Sequence, residues 1–105
     1  MDVSDLSKYA ATLEGVREQP RDGLVHWRYR GRLVARQLDD DHVVVRTEFD
    51  ARDVLLRSFP DTFSVPRRFA KHMMVVANIR HGDRAAIEEA VDAAWKLQRT
   101  SVASA

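Results

Sequence analysis

The stretch Leu24-Val25-His26-Trp27-Arg28-Tyr29-Arg30-Gly31-Arg32-Leu33-Val34-Ala35-Arg36 decides the fold. Val25, Trp27 and Tyr29 alternate with His26, Arg28 and Arg30, the period of two that marks a strand with one apolar and one cationic face. Arg30-Gly31-Arg32 reads as a three-residue hairpin loop with glycine at its centre. That register sets Tyr29 beside Leu33, Trp27 beside Ala35, Arg28 beside Val34 and His26 beside Arg36. A two-residue turn mixes apolar and charged side chains on both faces, so the longer loop is expected.

Working outward, the second strand of the hairpin runs to Leu38, and Asp39-Asp40-Asp41 forms the next turn. His42 to Thr47, with three consecutive valines, is a third strand. Toward the N-terminus, Leu6, Tyr9, Ala10 and Leu13 share one stripe of a helix over residues 3–13, capped by Asp2 or Ser4 and stopped at Gly15. Arg17 to Gly23 reads as a polar link, with Pro20 barring helix continuation. Beyond the third strand, Asp50 is the expected N-cap of a second helix through Phe59, with Asp53 in its first turn and Pro60 closing it. Thr62 to Val65 gives a short strand that, with Pro66 after it, ends there or lies at an edge. The basic link Arg67 to His72 leads into the apolar strand Met73 to Ile79. Asp83 then caps a final helix from Arg84 to about Arg99 with Ile87, Val91, Ala94 and Trp95 on its core face, and residues 100–105 are expected to fray. The order is α-β-β-β-α-β-β-α, an α+β fold with an antiparallel sheet of about five strands and helices on one face.

The chain has 105 residues, 45% apolar and 31% charged, with no cysteine. Area scaling takes ~17,400 Å² of unfolded surface to ~6,000 Å², enough for one core in one domain, residues 1–105. Absence of cysteine excludes a disulfide scaffold and a thiol nucleophile. The acidic start Met1-Asp2-Val3-Ser4-Asp5 lacks the apolar segment of a signal peptide, and the longest apolar run, Met73 to Ala77, is too short to span a bilayer, so a cytoplasmic domain is expected; a monomer is the expected state. No nucleophile elbow, H-E-x-x-H or phosphate loop is present; the four glycines are isolated and His26, His42, His72 and His81 fall in different elements. An enzyme, a cofactor and a metal site are therefore not expected. Asp39-Asp40-Asp41-His42 lacks the alternating ligands and distal glutamate of a calcium loop and reads as an acidic turn.

The remaining constellation with chemical content is basic. Seventeen Lys and Arg balance sixteen Asp and Glu, but fourteen of the seventeen are arginine, whose planar fork matches phosphate. If Trp27, Tyr29, Leu33 and Ala35 face the core, then His26, Arg28, Arg30 and Arg36 face away, joined by Arg46 when Val43 and Val45 point inward. With every helix on the other side, this face is open and cationic, a surface for the phosphates of DNA, with Arg67 and Arg68 as auxiliary contacts. Two alternatives stand beside it: an ordinary solvated face whose arginines pair with Glu18, Glu48 or the aspartates, and an interaction module in which the face or the Arg67–His72 segment meets an acidic protein or a small molecule.

Several short patterns, in order and spacing, resemble the MmcQ/YjbR-like family of small bacterial proteins over about residues 4–98. They are Leu13-Glu14-Gly15-Val16, Trp27-Arg28-Tyr29-Arg30-Gly31-Arg32, Arg52-Asp53-Val54-Leu55-Leu56, Pro60-Asp61-Thr62-Phe63, Met74-Val75-Val76 and Asp92-Ala93-Ala94-Trp95. The resemblance implies a CyaY-like (frataxin-like) arrangement with helices on one face of the sheet. It also implies DNA binding, the usual label of that family, without established catalytic residues. Glu14 stands where the family usually has proline, and Arg68-Phe69 where it often has a His-Tyr pair. Asp2, Asp5 and Glu14 are too sparse for the acidic metal sites of frataxins.

Overall fold

The computed structural model describes the side chains of residues 1–101 and the backbone through residue 104. Helix α1 (Val3–Ala10) opens with a reciprocal cap: the Asp5 amide donates to Asp2 Oδ1 at 2.8 Å and the Asp2 amide to Asp5 Oδ2 at 3.0 Å. The helix ends at Ala10 rather than at residue 13, and a turn carries Leu13 to the same core. Four strands follow, β1 (Val16–Arg21), β2 (Leu24–Tyr29), β3 (Arg32–Gln37) and β4 (His42–Arg46), then α2 (Phe49–Ser58), β5 (Phe63–Ser64), a 3₁₀ turn (Arg67–Phe69), β6 (Met74–Asn78) and α3 (Arg84–Ser104). The sheet is wholly antiparallel, in the order β1-β2-β3-β4-β6-β5.

Six strands stand where about five are expected, because the polar link is itself a strand. Asp22 and Gly23 both take positive φ, 53° and 78°, the two-residue turn that matches strand twist, and β1 folds back on β2 from Val16–Tyr29 to Arg21–Leu24. Pro20 is tolerated because β1 is an edge. At the other margin, β5 stops at Ser64, ahead of Pro66, and is an edge strand.

The β2–β3 hairpin corrects the expected register in half its length. Trp27 pairs with Ala35 and His26 with Arg36, as expected, but Tyr29 pairs with Arg32 and Arg28 with Leu33 across a two-residue Arg30-Gly31 turn. The register shifts between Trp27 and Arg28, which leaves Val34 as the extra residue of a bulge. The bulge lets Val34 and Ala35, adjacent in sequence, both bury in the main core, so a short turn no longer scrambles the faces. Gln98 of α3, itself buried, donates from Nε2 to the Leu33 carbonyl beside the bulge at 2.7 Å.

The main core lies between one sheet face and the helices. Leu6 and Ala10 of α1 and Ile87, Val91 and Ala94 of α3 meet Trp27, Val34, Ala35, Val43, Val45, Val75 and Ala77, with Leu55, Leu56 and Phe59 at its border. Trp27 is 1% exposed. The N-cap position of helix α2 is Glu48, whose side chain makes no capping hydrogen bond, not Asp50, and it is Asp50 that occupies the first turn in place of Asp53. Helix α3 continues to Ser104, so residues 100–104 are helical where fraying is expected; Ala105 lies outside the described residues.

The opposite face is only half open. Phe69, in the 3₁₀ turn, packs on Val44 and Val76 with Leu38, Val65 and Met74 around it, forming a second small core over β4 and β6. The Arg52 guanidinium fastens this cover: Nη1 donates to the carbonyls of His72 (2.8 Å), Met74 (3.3 Å) and Phe69 (3.4 Å), and Nη2 to that of Ala70 (3.1 Å). What is left uncovered is the cationic half of the sheet, β1 to β3.

Candidate functional site

Alternation along the strands assembles the site. On β1, Val16 and Glu18 turn to the core side, where the Trp27 indole Nε1 donates to Glu18 Oε1 at 2.9 Å. Arg17, Gln19 and Arg21 therefore share the other face. Arg17 is the register partner of Arg28, Gln19 of His26, and His26 in turn of Arg36. From Arg36 the row continues through Val44 to Val76, under Phe69. Two guanidinium carbons flank that ring, Arg68 at 4.8 Å and Arg36 at 5.7 Å from its centroid. A stripe of Arg17, Arg28, His26, Arg36 and Arg68 thus crosses the sheet, with Arg67 exposed beside it.

The field on this stripe registers at His26. Burial pushes its pKa below the ordinary histidine value, the cations Arg28, Arg36 and Arg21 push it further, and Asp22 opposes them weakly. Its Nδ1 is buried without a hydrogen-bond partner. Ion pairs among the described residues are His42–Asp39, Arg80–Asp41, Arg84–Glu88 and Lys96–Asp92. Among the described residues, none joins a carboxylate to Arg17, Arg21, Arg28, Arg30, Arg36, Arg46, Arg67 or Arg68. Glu18, the nearest candidate in sequence, is engaged on the far face by Trp27.

The six sequence-predicted arginines divide into three places. Arg28 and Arg30 lie at the hairpin tip, where with Arg17, Gln19 and the glycines 15 and 31 they line a cleft of about 380 Å³. Arg36 and Arg68 flank Phe69, and Arg67 lies exposed in the same 3₁₀ turn. Arg46 stands apart: its Nη1 donates to the carbonyls of Thr47 (2.9 Å) and Met73 (3.1 Å), and it lines a different cleft with Ala93 and Leu97 of α3. Arg17 and Arg21 are the functional candidates that sequence reasoning misses. The Asp22-Gly23 pair between them and β2 is the signal that would have found them.

Arg30 holds a positive φ of 47°, a left-handed conformation that costs a non-glycine residue roughly 1–2 kcal/mol. Its guanidinium carbon lies 5.7 Å over the Tyr29 ring. The acidic turn behaves as expected: Asp39 Oδ1 accepts from the Asp41 amide at 2.9 Å and from His42 Nδ1 at 2.8 Å, and the bond from His42 holds the Asp39 pKa below the usual carboxylate value. Among the described residues, no group of three or more His, Cys, Asp or Glu side chains is placed to hold a metal ion. Trp95, on the rim, donates from Nε1 to the Glu14 carbonyl at 2.8 Å and ties α3 to the turn after α1.

Comparison with known protein families, with curated proteins and with solved structures finds no match to this chain. No helix among the described residues is long and apolar enough to cross a membrane.

Proposed function

We propose that this chain is a non-enzymatic module that binds duplex DNA weakly, through its phosphates, on the uncovered half of the sheet. Arg28, Arg30 and Arg36 are the principal contacts, Arg17 joins them in place of Arg46, and Arg21, Arg67 and Arg68 are auxiliary. One observation carries the reading: Arg17, Arg28, Arg36 and Arg68 lie along one face, with Arg30 at the hairpin tip beside them, and none has a paired carboxylate, in a field that also depresses His26. An ordinary solvated face would pair its arginines with acids across the strands. The resemblance to MmcQ/YjbR-like proteins supports the same reading, and with it a CyaY-like fold; a cytoplasmic location and a monomer are part of the proposal.

The test is a fluorescence-anisotropy titration of an unphosphorylated duplex against salt. Four phosphate contacts give a log–log slope of about −3.6. No binding at ~100 μM protein in low salt overturns the reading, since non-specific binders lie at or below that range. Saturable binding of an acidic polypeptide without DNA binding transfers the face to a protein partner.

A further inference from the structure

We propose that the cleft at the β2–β3 hairpin tip is a binding site for a phosphate monoester, a terminal phosphate rather than a backbone diester. The inference deepens the polyanion reading and rests on it through Arg28 and Arg30. Three arginines line this cleft from three places: Arg17 from β1, Arg28 from β2 and Arg30 from the turn, where its guanidinium lies over the Tyr29 ring. Arg17 and Arg28 are direct cross-strand partners, an arrangement of like charges that destabilises a sheet unless an anion sits between them. Arg28 Nη1 donates to the Gly31 carbonyl at 3.2 Å, which fixes the plane of its fork while leaving its other N–H groups free to donate.

The third cation is held at a cost. The β1–β2 turn uses Asp22-Gly23, a pair suited to two successive positive φ angles, whereas the equivalent turn of the next hairpin uses Arg30-Gly31. Asparagine at position 30 suits that backbone better, so the arginine serves what it faces rather than the turn itself. Gly15 and Gly31 complete the wall without side chains, and Gln19 adds an amide. A monoester offers three terminal oxygens and close to two negative charges near neutral pH, one oxygen for each guanidinium. A diester offers two free oxygens and a single charge.

The test uses amide NMR shifts of the full chain with three probes: inorganic phosphate, a single-stranded 5′-phosphorylated decamer, and the same decamer with a 5′-hydroxyl. Inorganic phosphate is expected to shift the Gly15 and Gly31 amides, and the 5′-phosphate to tighten decamer binding about tenfold. Arg17→Gln and Arg30→Asn, neither of which removes a core side chain, are expected to abolish both effects. Glycine shifts with phosphate but equal decamer affinities support the site and assign it to small phosphate monoesters. Silent glycine amides with equal decamer affinities overturn the inference even if DNA binds elsewhere on the face. A response unchanged by Arg17→Gln overturns it as well. Phosphate binding without any affinity for the 5′-hydroxyl decamer or an unphosphorylated duplex upholds the site and sinks the DNA reading alone.

Discussion

Trp27 and Glu18 are direct partners across the β1–β2 ladder, and the indole Nε1 donates to the Glu18 carboxylate at 2.9 Å. The bond does two things at once. It satisfies the one polar atom of the largest buried side chain, and it draws an acid to the core side of an edge strand whose other face is cationic. Removing the indole opens a large void beneath α1 and α3. Trp27→Ala is expected to lose ~3–5 kcal/mol in urea denaturation or to prevent folding. A loss under ~1 kcal/mol would show that the aromatic face of β2 is not the buried one.

Arg52 satisfies four carbonyls of the segment from Phe69 to Met74. Arg52→Ala leaves these groups to water and loosens the Phe69 cover, with an expected loss of about 2–3 kcal/mol. Amide exchange should rise selectively over residues 67–74. Arg52→Lys is expected to recover only part of the loss, because a single ammonium lacks the planar fork. Uniform exchange across the sheet would instead mark global unfolding and refute a local role.

How far the sequence reaches is clearest at this cover. The alternation of Val25, Trp27 and Tyr29 against His26, Arg28 and Arg30 is local, and it assigns the faces of β2 correctly. Val34-Ala35 hides a bulge, because two adjacent apolar residues break the period of two only if the partner strand is known. The Asp22-Gly23 turn was legible, but the polar composition of Val16–Arg21 masked an edge strand with one wet face. Nothing near Phe69 in sequence tells that it crosses to the far side of the sheet to sit on Val44 and Val76. That packing joins residues far apart in the chain, and it converts an expected open face into a half-open one.

His26 gives the stability a pH dependence near neutrality. Its folded pKa lies below the ordinary value of about 6.5, so below that pH the unfolded chain binds the proton first. Stability from this residue is therefore present above pH ~6.5 and falls as pH drops toward the folded pKa, where the loss levels off. His26→Gln is expected to flatten the acid limb of a thermal-melting profile between pH 7 and 5. A bound polyanion offsets Arg28, Arg36 and Arg21, so it raises the His26 pKa, and binding should tighten as pH falls. An unchanged acid limb in His26→Gln refutes the assignment.

Arg36 and Arg46 separate binding from stability. Arg36→Gln is expected to lower duplex affinity and to reduce the salt slope by ~0.9, the share of one phosphate, with little change in the urea midpoint. Arg46→Gln is expected to do the reverse, losing about 1–2 kcal/mol through the carbonyls of Thr47 and Met73 while leaving the slope intact. Equal slopes in both variants would remove Arg36 from the contact set.

Gly15 has a spatial role as well as a backbone one. A Cβ at this position would lie 2.7 Å from Tyr29 Cε2, at a φ of +79°. Gly31 has a similar φ of +80° but open space around it. Gly15→Ala is expected to destabilise more than Gly31→Ala, which should lose only the ~1–2 kcal/mol of left-handed strain. Equal losses in thermal melts would show that Tyr29 moves aside freely.

The proline of the outermost strand has a bearing on self-association. Pro20 withholds an amide hydrogen from any incoming chain, and Arg17, Glu18 and Arg21 around it carry charge that a stacked copy would have to confront in register. The opposite margin offers only the two residues of β5. Neither rim is a good template for fibril growth, which guards a sheet with one bare flank against edge-to-edge stacking.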